Sequence, residues 1–254
     1  MIRRITVPGD GTELNALEAA GSDPDRIPIL LIHENRGLVP YMVDEITRLA
    51  ERGHRVVAPD LLTRIGGTAE YADDPTSIST RAIENDVHVA DLVATYDWAA
   101  GSEQRLAVVG FCFGAEMGWQ LIVHRTPELA VLWYGIGPDP VDAVQIRSRV
   151  LATYAQDDPR VNDTLPPLCQ ALGKSATDIT LESFPGTRHA FADHSRPERH
   201  HPAAAAEKQH HTNKKHNKSR TETHNKKTPT NQTTTNPPHN NPTNKNHKTH
   251  KTPQ

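Results

Sequence analysis

Along the first two hundred residues, short and nearly continuous apolar runs alternate with stretches whose apolar positions recur every three to four residues. Strand-length runs interleaved with helical periodicity predict βαβ units and a mainly parallel sheet. "PILLIH" (28–33) is apolar almost throughout, as a strand buried on both faces requires. "RVVAPD", "RLAVVG", "ELAVLWYG" and "RVLATYAQ" read as further strands, and "DITLESFPG" shows strand alternation. "RRITVP" and "LNALEAA" predict an opening antiparallel pair. A helix is expected over 41–52, with Val43, Ile46, Leu49 and Ala50 on one face and Gly53 as its stop. A longer one is expected over 81–100, with Ile83, Val87, Ala90, Val93 and Ala94 turned inward, and a third over "FGAEMGWQLIVHR". "TLPPLCQALG" predicts a short helix or turn, and "LLTRIGGTAEYADDPTSIST", rich in Gly, Asp and Ser, a long surface loop or lid. There is no internal repeat.

The apolar pattern ends near Glu207. Residues 208–254 contain no Leu, Ile, Val, Phe, Tyr or Trp. Such a stretch buries too little apolar surface to offset chain entropy, so 1–207 is expected to be one folded domain and 208–254 a disordered tail. Only Ser219, Arg220 and Glu222 in that tail fall outside the six residue types encodable by adenine and cytosine alone. It therefore reads as a translated low-complexity or frameshifted stretch, with a His/Lys-rich metal- or polyanion-binding tail as the other reading. Its nine Lys and one Arg stand against one Glu, so the overall charge of −3 hides an acidic domain, and nucleic acid is not an expected partner.

The cysteines, Cys112 and Cys169, form no CxxC pair, which predicts neither a disulfide framework nor a zinc site and fits a reducing compartment. No apolar stretch reaches the roughly 18 residues of a membrane span, and the Arg pair in "MIRRITVPGD" has no apolar run behind it. A soluble, cytoplasmic protein without a membrane partner is expected.

Gly110-Phe111-Cys112-Phe113-Gly114, between a predicted strand and a predicted helix, has the nucleophile-elbow pattern with cysteine in place of serine. The glycines permit a strand-to-helix turn tight enough to hold the middle residue in a strained conformation. The helix start favours a thiolate, and the Phe113 N–H can face a developing oxyanion. Alone, such a cysteine is equally a small buried hydrophobe. Asp157 and Asp158 follow the strand "RVLATYAQ", and His189 follows "TLESFPG". A lone Asp-Pro there is ordinary turn chemistry and a lone loop His is ordinarily solvated. Nucleophile, acid and histidine in that order, each after a strand, predict a triad at the carboxyl edge of the sheet. Glu34, directly after "PILLIH", is either a carboxylate serving the cysteine, a solvated loop glutamate or the ion-pair partner of Arg36. The tryptophans at 98, 119 and 133, with Tyr134, read as core or pocket wall. His33, His54, His88 and His124 lack the grouping of a metal site, and His194, His200 and His201 read as surface.

"LLIHENRGLVPY", "RVVAPDLLTRIGGT", "VVGFCFGAEMGW", "WYGIG", "YAQDDPRVN" and "FPGTRHAFADHSRP" together resemble the dienelactone hydrolase family. The resemblance covers about residues 25 to 207. It implies an α/β-hydrolase fold and a cofactor-free, metal-free hydrolase of esters or lactones. It implies a triad of Cys112, His189 and Asp158, since the family's acid lies three residues before an aliphatic position, here Val161; Asp157 is the alternative. It also implies that Glu34 helps deliver the thiolate and that the Asn35 N–H completes the oxyanion hole with that of Phe113. A small-molecule substrate and a monomer or weak homodimer are expected.

The sequence departs from the family at two places. Members acting on dienelactone hold the substrate carboxylate with arginines, one of them four residues after the catalytic histidine; that position is Asp193 here, which is expected to repel an anion. After "RHHPAAAAE" the family continues into an apolar helix packed on the sheet, where this chain turns polar, and loss of that helix is expected to expose apolar surface at about 25 cal/mol per Å². Two other function classes fit the same residues: a catalytically silent α/β-hydrolase fold acting as a binding protein, and a reactive-thiol redox protein. The second is weakened by the lack of a resolving cysteine near Cys112.

Overall fold

A computed structural model describes residues 1–68, 80–102, 104–174 and 177–206. The opening segments form the expected antiparallel pair, β1 (Ile2–Gly9) and β2 (Thr12–Ala19). Then come β3 (Ile29–Ile32), α1 (Pro40–Glu51), β4 (Val56–Pro59), α2 (Asn85–Ala100), β5 (Ala107–Phe111) and α3 (Phe113–His124). The chain continues through β6 (Leu129–Trp133), α4 (Pro140–Ala143), β7 (Val150–Asp157), α5 (Pro159–Asn162), α6 (Leu165–Leu172) and β8 (Ile179–Arg188). The eight strands lie in one sheet in the order β1-β2-β4-β3-β5-β6-β7-β8. β2 joins β4 antiparallel, and every pairing from β4 through β8 is parallel.

The unbroken apolar runs have a simple cause, because helices cover both faces of the sheet. Leu30, Ile32 and Val108 point to one side with residues of α2, α3 and α6, whereas Ile29, Leu31, Ala107 and Val109 point to the other with Tyr41, Met42, Ile46 and Leu49 of α1. Among the described residues, the exposed large apolar side chains are Met1, Trp98, Val141 and Val144, none of them in the sheet. Trp98 thus corrects the expectation of a buried tryptophan. It lies at the outer end of α2, with the Arg55 guanidinium 5.3 Å over its ring.

The buried faces of two helices differ from the apolar stripes read in the sequence. On α1 the buried set is Tyr41, Met42, Glu45, Ile46 and Leu49, so Val43 and Ala50 flank the contact. α2 begins at Asn85, and buries His88, Asp91, Leu92, Thr95 and Tyr96, leaving Val87, Ala90, Val93 and Ala94 half-buried. Three of those inward residues are polar because each has a partner. His88 Nε2 meets the Thr80 carbonyl at 2.9 Å, and Thr95 donates to the Pro8 carbonyl at 2.8 Å. Asp91 accepts from Arg64 at 2.8 and 2.9 Å and from the Asp10 N–H at 2.8 Å. A buried carboxylate is tolerated when charge and hydrogen bonds compensate it.

The loop expected after β4 starts with Leu61 and Leu62 fully buried and a 3-10 turn at Thr63–Ile65; its residues 69–79 lie outside the described residues. At the other end of the domain, 202–206 is helical with Ala204 and Ala205 buried, and the stretch read as a tail lies outside the described residues.

Candidate active site

Cys112 leaves β5 with φ 53° and ψ −114°, and its backbone N–H donates to the Trp133 carbonyl at 2.9 Å. That conformation is costly for a residue with a Cβ and persists only where its surroundings impose it. The flanking glycines impose it here by letting backbone touch backbone. A Cβ on Gly110 would lie 2.3 Å from the Gly114 carbonyl oxygen, and a Cβ on Gly114 would lie 2.2 and 2.4 Å from the Ile32 and His33 carbonyl oxygens. α3 therefore starts hard against the end of β3, with the thiol at its N-terminus.

Register explains which residues meet. Asp157 of β7 pairs with Arg188 of β8 across a local irregularity, so the next residues, Asp158 and His189, leave adjacent strands side by side. His189 Nδ1 lies 2.5 Å from Asp158 Oδ2, and Nε2 lies 2.9 Å from Cys112 Sγ. Of the two aspartates, Asp158 is the one that meets His189, whereas Asp157 is exposed at the strand end. The Asp158 carbonyl accepts from the Val161 and Asn162 N–H groups of α5, which anchors this residue. Ala190 turns at φ 66°, and the rings of Tyr134 and His189 meet edge to face at 5.1 Å.

Burial opposes a charge on His189, but its hydrogen bonds to Asp158 and Cys112, reinforced by their charges, hold its pKa up at about 9. At neutral pH an imidazolium therefore lies 2.9 Å from the Cys112 sulfur.

Ile32 of β3 pairs with Gly110 of β5, which brings Glu34, two residues on, level with Cys112. Both line one cavity of about 390 Å³, together with Asn35, Phe113 and His189. The Glu34 carboxylate, however, is held by Arg36 at 2.8 Å and Arg196 at 3.7 Å rather than by the thiol. The ion-pair alternative for Glu34 is therefore the arrangement observed. Burial raises its pKa, and the two arginines oppose that rise. Asp193 is almost fully buried and accepts from Arg36 at 3.1 Å, from the Ser195 N–H at 2.9 Å and from the Ser195 hydroxyl at 2.5 Å; Arg196 lies 3.3 Å away. The charge expected to repel an anion is therefore paired with two guanidiniums. Among the described residues, no acceptor takes the Asn35 N–H and no group of three His, Cys, Asp or Glu converges as metal ligands would.

Sequence reasoning assigned no part to Arg196 or His33. Arg196 had no local signal. His33, fully buried at the end of β3, was visible only as a histidine outside any metal grouping.

The model of the "Dienelactone hydrolase family" matches residues 14–219. An Escherichia coli K12 protein named as a candidate carboxymethylenebutenolidase is 30% identical over 222 residues, covering 80% of this chain and 81% of that one. One of the same description from Saccharolobus solfataricus is 26% identical over 229 residues, covering 75% of this chain and 89% of its own length. A crystal structure of a candidate dienelactone hydrolase from Klebsiella pneumoniae superposes with a TM-score of 0.74 at 28% identity, covering 84% of this chain and 96% of that one.

Proposed function

Since the chain belongs to the dienelactone hydrolase family of α/β-hydrolases, and so is a hydrolase of the ester or lactone type, we propose that it works through a Cys112–His189–Asp158 triad and a thioester acyl-enzyme. The observation that carries this reading is the continuous relay from Sγ through the imidazole to the Asp158 carboxylate, at 2.9 and 2.5 Å.

In the proposed reaction, Cys112 Sγ attacks the carbonyl carbon, and the oxyanion is met by the backbone N–H groups of Phe113 and Asn35. The His189 imidazolium gives its proton to the departing alkoxide. Acylation removes the charge on sulfur, and with it two of the influences that keep His189 protonated. Its pKa falls, and the neutral imidazole, held by Asp158 at Nδ1, takes a proton from the attacking water. The tetrahedral intermediate collapses, the acid leaves and the thiolate returns. Glu34, whose proton affinity burial has raised, is the alternative first acceptor of the thiol proton in place of His189, a role that requires Arg36 and Arg196 to release it. A cavity of about 390 Å³ suits a small ester or lactone.

The test is hydrolysis of p-nitrophenyl acetate by the wild type and by the Cys112→Ala and His189→Ala variants. Loss of activity in both variants supports the triad. Activity that survives both substitutions refutes it, and an inactive wild type favours a binding protein on the same fold.

A further inference from the structure

His33 is a fully buried titratable side chain, bonded to the backbone of the site, that the proposed mechanism does not use. Its Nε2 is 2.9 Å from the Leu61 N–H, which can only donate, so Nε2 is the acceptor. Nδ1 therefore carries the proton and donates to the Glu34 carbonyl at 2.6 Å. Burial keeps the ring neutral, against the pull of the Asp60 carboxylate 4.0 Å away. Asp60 is itself occupied by the Leu62 and Thr68 N–H groups, at 3.1 and 2.7 Å. The Glu34 carbonyl also accepts from the Gly37 N–H at 3.1 Å, so two donors fix it.

In a trans peptide the carbonyl of one residue and the N–H of the next point in opposite directions. Holding the Glu34 oxygen toward His33 therefore holds the Asn35 N–H away from it. Asn35 lines the catalytic cavity, and its N–H has no acceptor among the described residues. The His33 carbonyl oxygen also borders Gly114 at the elbow, so one residue connects both strands of chain that supply oxyanion donors.

We infer that His33 is a positioning residue for the oxyanion hole, a neutral Nδ1–H donor that locks the Glu34–Asn35 peptide so that its N–H faces the substrate carbonyl. The inference rests on the hydrolase reading, because only a reaction with a developing oxyanion uses that orientation.

Two amide substitutions separate the two ring nitrogens. An asparagine amide lies at the reach of Nδ1 and can still donate to the Glu34 carbonyl; a glutamine amide lies at the reach of Nε2 and can only satisfy Leu61. On p-nitrophenyl acetate, His33→Asn should keep kcat within about threefold, and His33→Gln should lower it at least about tenfold with KM little changed, toward the 10²–10³ that losing one oxyanion donor costs. If the Gln variant does not fold, His33→Leu, which has the shape of Asn without its donor, replaces it. Equal kcat in the donating and non-donating variants overturns the inference, whether both match the wild type or both fall together. Crystal structures of the variants supply a readout independent of turnover. A wild type inactive on esters removes the hydrolase reading, and the positioning role then stands if the 34–35 peptide turns in His33→Gln and falls if it does not.

Discussion

Arg36 donates to Asp193 at 3.1 Å, joining the loop after β3 to the turn after His189, where Asp193 lines the cavity that holds Cys112. With Glu34 and Arg196 they form a closed set of two carboxylates and two guanidiniums. A position that reads in the sequence as a repulsive charge is thus neutralised where it stands. Arg160 and Arg199 line the same cavity, so it does not oppose an anionic substrate on charge grounds.

Arg36→Met should be strongly destabilising, by about 3–5 kcal/mol, because Glu34 and Asp193 are left to share Arg196 in a buried setting. Burial already raises the Glu34 pKa, and the substitution raises it further. A carboxyl whose folded pKa is raised favours the fold while protonated and loses that contribution as pH climbs through the folded value. Thermal melts should therefore show a larger loss at pH 8 than at pH 5. Equal losses at the two pH values would contradict the account.

Asp158→Asn should leave the protein folded and reduce kcat by about 10²–10⁴, since the imidazole loses the partner that sets its tautomer. Asp157→Asn, at the exposed end of β7, should retain activity within about twofold. Kinetics of both variants on one ester decide the matter, and a large loss in Asp157→Asn alone would reverse the assignment.

How far the sequence revealed these features follows from whether their causes are local. The parallel strands were readable because helices cover both faces and force continuous apolar runs. The elbow was readable because the turn demands glycine on both sides of Cys112. The inward face of α2 was not: His88, Asp91 and Thr95 are satisfied by Thr80, Arg64 and Pro8, and periodicity of apolar residues cannot register partners from other segments. The strand pattern alone left Asp157 and Asp158 open; the family spacing to Val161 pointed to Asp158, and the β7–β8 register is what sets that residue beside His189. The Arg36–Asp193 contact spans 157 residues and had no signal at all.

His189 contributes a second pH effect with a defined window. Its folded pKa of about 9 exceeds the ordinary 6.5, so the fold gains from its protonation. That contribution is fully present below about 6.5 and disappears as pH rises through about 9. The melting difference between wild type and His189→Gln should accordingly shrink between those limits, and a difference that widens with pH would contradict the relay.

Gly114→Ala should cost about 3 kcal/mol or more, because the new methyl meets two backbone carbonyl oxygens that no rotamer change can clear. A melting temperature equal to wild type would show that α3 and the end of β3 can separate freely.

Among the described residues, the two strands that lead to Asp158 and His189 are also the last pair in both sequence and sheet order. A refolding chain can pair β3 through β6 and collapse around them while the relay is still unmade, since its acid and base arrive only when the outer strand docks. Turnover is thus a reporter of docking of the outer strand rather than of compactness alone, and recovery of ester cleavage should trail the collapse of the central strands.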